Sequence, residues 1–457
     1  MTTLDGVARL LGRLGRGISL AGRTVLPVDT NPVPSDWTHV TKVDPEEAKK
    51  LPLLYPLYLG HTSAVSVGGS ADVTARNTEE TFDLLAPASV PVFHEPSGPR
   101  HVTTRTREQA DLLAVPEVLN GDSESLVGQL GAGTEYIREE LVPDLIDDEL
   151  PWLPRRVADG LAAFATSWLL AEAVFEAYIV QNPDSAAARE SNVTESDRLS
   201  PREAKQRAMA AERHLESELI YLEYSGTYGG EDAAEELTEI ADGLSWSRLW
   251  YGGGLDSREH AEAMLDAGAD TIVVGDAFHR VADEETEICE RAVEAFDSGN
   301  LDPDALGPNG RDTDAPESSD FGANASESAI REWVRENVAV ADSNAAAYLS
   351  TIPSVADPER LAEQYLTATV RTWLWIHARS DGFRDGSGAD SRPSTERVGD
   401  FRDALGPDAM ASLDDADLAL VRRYLGDLLA EGRSAEAAAT ASVGLATTHL
   451  ALSLSPR

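Results

Sequence analysis

The amino-acid sequence predicts an α/β fold: a TIM (β/α)₈ barrel over residues 37–297, followed by an additional C-terminal all-α helical bundle. Three observations carry this expectation. Short apolar runs alternate with helix-like segments through residues 37–297, as in a parallel sheet wrapped by helices. Eight such runs in βα order favour closure into a barrel. No GxGxxG follows the first run, which disfavours the runner-up, an open doubly wound sheet.

In chain order the expected strands are residues 38–43, 64–67, 90–93, 113–118, 177–180, 219–223, 248–251 and 271–274. Most intervals between them hold one helix. Residues 141–176 are too long for that and contain Pro143, Pro151 and Pro154, so a helical insert is expected there. The most apolar run of the chain, residues 161–180, is interrupted by Glu172 and Glu176.

Residues 1–36 form a separate extension. Leu4, Val7, Leu11, Leu14 and Ile18 fall on one helical face, with Arg9, Arg13 and Arg16 opposite. This reads either as a basic amphipathic helix resting on an anionic membrane through residues 1–28, or as a helix packed on the protein's own body. Arginines break up the apolar stretch, so it is not a secretory signal. Residues 298–326 are rich in Gly, Pro, Asn, Ser and Asp and read as a flexible linker. Residues 327–457 read as the helical bundle, with segments near 327–350, 357–379, 408–432 and 434–453 and a polar loop at 382–393. Trp333, Trp373 and Trp375 are expected in its core, and no catalytic pattern occurs in it. If the bundle is accessory, it should be removable at about residue 300 without loss of turnover.

Composition excludes several classes. Asp and Glu outnumber Lys and Arg 80 to 38 in 457 residues, a net charge of −42. Only Lys42, Lys49, Lys50 and Lys205 are lysines. An acidic, lysine-poor surface suits a salt-rich, halophilic cytoplasm, where screening removes self-repulsion. No basic patch exists for nucleic acid. Cys289 is the single cysteine, which rules out an internal disulfide or a cysteine metal cluster. No run of about 18 apolar residues could span a membrane. A cytoplasmic protein is expected, membrane-associated if the N-terminal helix docks. Barrels of this kind often pair, which leaves a homodimer open.

Functional residues of such barrels gather where strands end and βα loops begin. At the first end, Lys42 and Asp44 are two apart and share a face, suited to a phosphorylated substrate and a metal ion, or else to a buried salt bridge. Val67-Gly68-Gly69-Ser70 offers close backbone approach and a hydroxyl, or is simply a tight turn. Tyr221-Leu222-Glu223-Tyr224-Ser225-Gly226 ends an apolar strand with a glutamate. That carboxylate could receive a polyol's hydrogen bonds and remove a proton, or pair with an arginine. Tyr251-Gly252-Gly253-Gly254 and Val273-Val274-Gly275-Asp276 look like a phosphate cradle. Asp276 would repel a phosphate; it caps the next helix or binds a glycerol hydroxyl.

Lys42-x-Asp44-Pro45, Val67–Ser70, Tyr221–Gly226, Tyr251–Gly254 and Val274–Asp276, with the fifth-strand segment Ala177-Tyr178-Ile179-Val180-Gln181-Asn182-Pro183, resemble the geranylgeranylglyceryl and heptaprenylglyceryl phosphate synthases in type and order. The resemblance covers residues 37–297. It implies Mg²⁺-dependent transfer of a prenyl group, geranylgeranyl above all, from its diphosphate to the C3 hydroxyl of sn-glycerol 1-phosphate. It implies Asp44 and Ser70 as Mg²⁺ ligands. Lys42, Tyr221, Leu222, Glu223, Tyr224, Ser225, Gly226, Gly254, Gly275 and Asp276 would bind glycerol 1-phosphate. Lys42 and Glu223 would be catalytic, Glu223 as general base. Many members carry Asn where this chain has Asp276, and the N-terminal extension, the insert and the bundle lie outside the family's core pattern. The alternative is a non-catalytic phosphate- or prenyl-binding paralogue whose bundle contacts a partner.

Overall fold

The computed structural model describes residues 29–46, 50–69, 73–85, 88–143, 146, 155–301 and 320–384. Eight parallel strands close in sequence order: β1 (His39–Val43), β2 (Ala64–Val67), β3 (Val92–His94), β4 (Leu112–Val118), β5 (Val174–Val180), β6 (Leu219–Glu223), β7 (Arg248–Gly252) and β8 (Thr271–Val274). The expected barrel is thus present, with every expected strand in place. The largest shift is at β5, which begins at Val174, three residues before the expected Ala177. Glu176 looked like an interruption, yet it is fully buried within the strand.

The chain divides into two compact units. The first comprises Met1–Thr38, Leu112–Gly253 and Ala263–Ile272. Its strands β4 to β7 run in continuous register, with Tyr178 beside Tyr221 and Tyr221 beside Trp250. The Ile272 N–H donates to the Thr38 carbonyl at 3.1 Å. After β4, π-helical turns at Glu124–Gly128 and Ile137–Leu141 flank an α-helix over Gln129–Tyr136, and a long helix follows over Arg155–Glu172 in the expected insert. Leu141, Val142 and Leu169 give this excursion a small core of its own.

The second unit comprises His39–Asp111, Gly254–Glu262 and Val273–Arg457. Here α1 (Tyr55–Leu59), α2 (Ala75–Leu85) and α3 (Thr104–Gln109) follow β1, β2 and β3. The helix after β8 spans Asp276–Asp297 and buries Ala277, Phe278, Val281, Ala282, Glu285, Ile288, Cys289 and Ala292. That spacing is the apolar stripe of an amphipathic helix, interrupted by one carboxylate. Three further helices span Asp320–Asn337, Asn344–Thr351 and Pro358–Arg384. The segment expected at 327–350 is therefore two helices, broken where Ser343 caps the second by accepting from the Ala346 N–H. The first begins inside the stretch read as a linker; residues 302–319 lie outside the described residues. Trp373 is buried as expected and Trp333 half-buried. The extension at 1–28, the side chain of Trp375 and the segments at 408–432 and 434–453 also lie outside the described residues. No described helix is long and apolar enough to cross a membrane.

Candidate active site

In the second unit, Lys42 is on the last turn of pleat in β1. It registers with Ser66 on β2, and Ser66 registers with Phe93 on β3, so Glu95, two residues on, shares their face. The Lys42 ammonium meets Glu95 Oε1 at 2.7 Å, and Ser66 Oγ donates to Glu95 Oε2 at 2.8 Å. The Lys42 side chain keeps 22% exposure against 8% for Glu95, so the cation stays partly accessible while its counter-charge is nearly sealed. Lys42 thus forms a salt bridge, with Glu95, whereas the alternative read from the sequence was one between Lys42 and Asp44. Glu95 was not singled out, because nothing in Phe93-His94-Glu95 marks which strand end it faces.

The glycine pair after β2 is more than a turn. A Cβ on Gly68 would lie 2.6 Å from the Glu95 carbonyl, and one on Gly69 would lie 3.0 Å from Asp44 Oδ1. Both glycines therefore admit the neighbouring strand ends. Asp44 is met from helix 276–297 by His279, whose Nδ1 is 3.6 Å from Asp44 Oδ2 and whose Nε2 accepts from the Asp44 N–H at 3.4 Å. His279 too escaped sequence reasoning. Ser70 lies outside the described residues. Among the described residues no group of three or more His, Cys, Asp or Glu is assembled around a metal. Asp44 is the described carboxylate that could hold a Mg²⁺ ion together with substrate phosphate, since such ions are commonly held by one or two carboxylates plus phosphate, and Gly69 puts no side chain against it.

Gly254 precedes a helix starting at Arg258, and Gly275 is the N-cap of helix 276–297, where an added Cβ would lie 3.5 Å from the Lys42 Cβ. Helix N-termini behind glycine turns present backbone N–H groups to an anion. Asp276 is the first residue of its helix and exposed, where its charge opposes the helix dipole favourably. It does not make the side-chain cap, since the N-cap position falls on Gly275.

In the first unit, Tyr221 stacks on Tyr178 at 4.4 Å between centroids, and its hydroxyl is so near Gly252 that a Cβ there would sit 1.9 Å away. Glu223 registers with Val180 and Gly252 at the end of β6 and is 2% exposed. Its carboxylate accepts from the Ser225 N–H at 3.1 Å. Gly226 follows at φ +83°, which explains a glycine there. Asn182 donates to the Ser225 carbonyl at 2.6 Å, so the loops after β5 and β6 hold each other. Behind them Gln181 exchanges two hydrogen bonds with the Leu199 backbone, at 2.8 and 2.9 Å. Gln181 and the Tyr224 hydroxyl both donate to Glu236, whose carboxyl burial pushes up to about 7. Burial also raises the Tyr224 and Tyr251 hydroxyls, so both stay protonated.

The closed parallel barrel, with glycine turns after its seventh and eighth strands and with lysine and carboxylates at strand ends, places the chain in the class of (β/α)₈ barrels. Residues 34–297, more than half of the chain, match the PcrB family, and the chain belongs to that family. It is 34% identical over 255 residues to a geranylgeranylglyceryl phosphate synthase of Haloquadratum walsbyi, covering 54% of this chain and 88% of that one. A geranylgeranylglyceryl phosphate synthase of Methanocella arvoryzae is 32% identical over 244 residues, 53% of this chain and 91% of the relative. A heptaprenylglyceryl phosphate synthase of Listeria innocua is 28% identical over 247 residues, 53% and 91%.

Proposed function

We propose that this protein transfers a prenyl group, geranylgeranyl in the leading case, from its diphosphate to the C3 hydroxyl of sn-glycerol 1-phosphate. The observation that carries this reading is Glu223. It is a carboxylate 2% exposed at the end of β6, beside a turn whose Gly226 opens the backbone. A carboxylate at the strand end of such a barrel, beside a glycine turn, is placed where a ligand hydroxyl can reach it and give up a proton.

In this reading Lys42, Gly254 and Gly275 receive the phosphate of glycerol 1-phosphate, with the helix N-terminus behind Gly275 adding its dipole. Glu95 and Ser66 keep the Lys42 ammonium in place. Tyr221, held by Tyr178, and the Tyr224–Gly226 turn shape the glycerol site. Glu223 orients the C3 hydroxyl and takes its proton as the oxygen bonds to prenyl C1. The allylic C–O bond breaks, and its electron pair leaves with the diphosphate. Asp44, with Ser70, would hold Mg²⁺, which when bound neutralises the leaving diphosphate. The barrel is a lipid-biosynthetic enzyme, and its acidic surface suits a halophilic, archaeal cytoplasm.

The test is turnover of full-length protein in molar KCl with Mg²⁺, radiolabelled glycerol 1-phosphate and geranylgeranyl diphosphate. Organic-extractable label is expected from the wild type and not from Asp44→Ala. No extractable product with donors from farnesyl to heptaprenyl diphosphate would overturn the reading.

A further inference from the structure

Residues 338–374, beyond the part of the chain that matches the family, pack directly against the strand that carries Lys42 and Asp44. β1 has five residues and so runs about 16 Å. Among the described residues the sole helix between β1 and β2 is Tyr55–Leu59, also five residues, which spans only about 7 Å. A helix that short leaves much of the outer face of β1 uncovered. Yet His39, Thr41 and Val43 on that face are 1%, 0% and 3% exposed.

Helix 276–297 packs on β1, and the C-terminal helices add to that cover. Tyr348 Oη and Thr41 Oγ1 are 2.7 Å apart, and Thr351 Oγ1 lies 3.1 Å from His39 Nε2. The other ring nitrogen of His39 meets Thr62 Oγ1 at 2.8 Å, so the ring is bonded on both sides. Burial depresses its pKa to about 3 and keeps it neutral. The aromatic layer continues with Tyr58, edge-on to Tyr348 and to Tyr365, and with Tyr365 Oη, 2.7 Å from a His61 ring nitrogen. Further ties run from helix 276–297: Glu285 accepts from Thr369 at 3.0 Å, and Glu284 accepts from the Ala345 N–H at 3.2 Å. Arg258, which opens the helix after Gly254, donates to the Val355 carbonyl.

We propose that the segment 338–374 takes the place of a full first barrel helix, and that Tyr348 and Thr351 are positioning residues for β1. By side-chain alternation, Thr41 and Lys42 point to opposite faces of the strand. A hydroxyl pair that fixes Thr41 therefore fixes the backbone from which the Lys42 ammonium is presented. The polar character of His39 and Thr41 has its explanation here, since a strand covered by an ordinary barrel helix would carry apolar residues at those places. The segment is then not an accessory that can be removed at residue 300. The role for Lys42 rests on the proposed function; the packing role does not.

The experiment compares full-length Tyr348→Phe with Tyr365→Phe, which removes a buried hydroxyl of the same layer that bonds His61 and not β1. Amide hydrogen exchange of residues 39–43 is read first. Tyr348→Phe should speed it about tenfold, the effect of roughly 1.4 kcal/mol of lost hydrogen bonding, and Tyr365→Phe should leave it unchanged. In turnover, Tyr348→Phe should raise KM for glycerol 1-phosphate severalfold with kcat nearly constant, and Tyr365→Phe should not. Unchanged exchange in β1, or equal effects of both variants, would overturn the proposal. Faster exchange in β1 of Tyr348→Phe, with a wild type that makes no product, would support the packing role and count against the proposed function alone.

Discussion

At the scale of single residues, the proposed reaction gives Glu223 the chemistry and Glu95 the placement of Lys42. Glu223→Gln keeps the size of the side chain and an acceptor for the Ser225 N–H but removes the base. We expect kcat to fall by about 10²–10⁴, the usual worth of a positioned base, with the thermal midpoint hardly changed. A loss below threefold in single-turnover measurements would sink that role. Glu95→Ala frees the Lys42 ammonium from its 2.7 Å partner and should raise KM for glycerol 1-phosphate about tenfold while kcat stays near wild type. A fall in KM would mean instead that Glu95 competes with the phosphate. Glu223 was legible in the sequence because a carboxylate ending an apolar strand stands out. Glu95 and His279 were not, because their partners Lys42 and Asp44 lie 53 and 235 positions away in the chain. Such pairing is a product of barrel register that no local pattern encodes.

Among the secondary-structure elements, the strands were legible and their covering was not. β2, β6 and β8 occupy the expected ranges, since period and composition mark apolar strands well. β5 starts early because Glu176 is buried in it, a burial that hydropathy cannot foresee. Helix 276–297 carries a related feature in Glu285. Its carboxylate accepts from the Leu53 N–H at 2.6 Å, Thr369 at 3.0 Å and Tyr58 at 3.2 Å, and burial pushes it up to about 7. A folded-state pKa above the unfolded value favours folding below pH about 4.5, and that advantage is lost as pH rises through about 7. Glu285→Gln can still accept from Leu53 and can donate to the two hydroxyls. Its stability relative to wild type should therefore improve by roughly 3 kcal/mol between pH about 4.5 and 7, then level off. Denaturant unfolding at several pH values reads this directly, and a pH-independent difference would show Glu285 to be fully ionised in the fold.

For the whole molecule, a net charge of −42 sets the terms. Like charges repel in the compact state, and screening shortens their reach from about 10 Å at 0.1 M salt to about 3 Å at 1 M. The thermal midpoint should rise steadily between those KCl concentrations, and calorimetric scans that show no dependence would remove the halophilic reading. Domain organisation was the least legible feature at this scale. The C-terminal helices read as an additional bundle of unknown role, because a flexible-looking stretch precedes them and because contacts such as Thr41–Tyr348, 307 residues apart, leave no trace in composition. The central claim, prenyl transfer onto glycerol 1-phosphate, is tested most directly by counting products. Wild type and Glu223→Gln are incubated with geranylgeranyl diphosphate, glycerol 1-phosphate and Mg²⁺, and diphosphate and the lipid product are quantified together by mass spectrometry. One diphosphate per prenylated glycerol phosphate from the wild type, and neither at a comparable rate from the variant, is the expected result. Diphosphate released without the ether product would contradict it, since the barrel would then be cleaving the donor without transferring it.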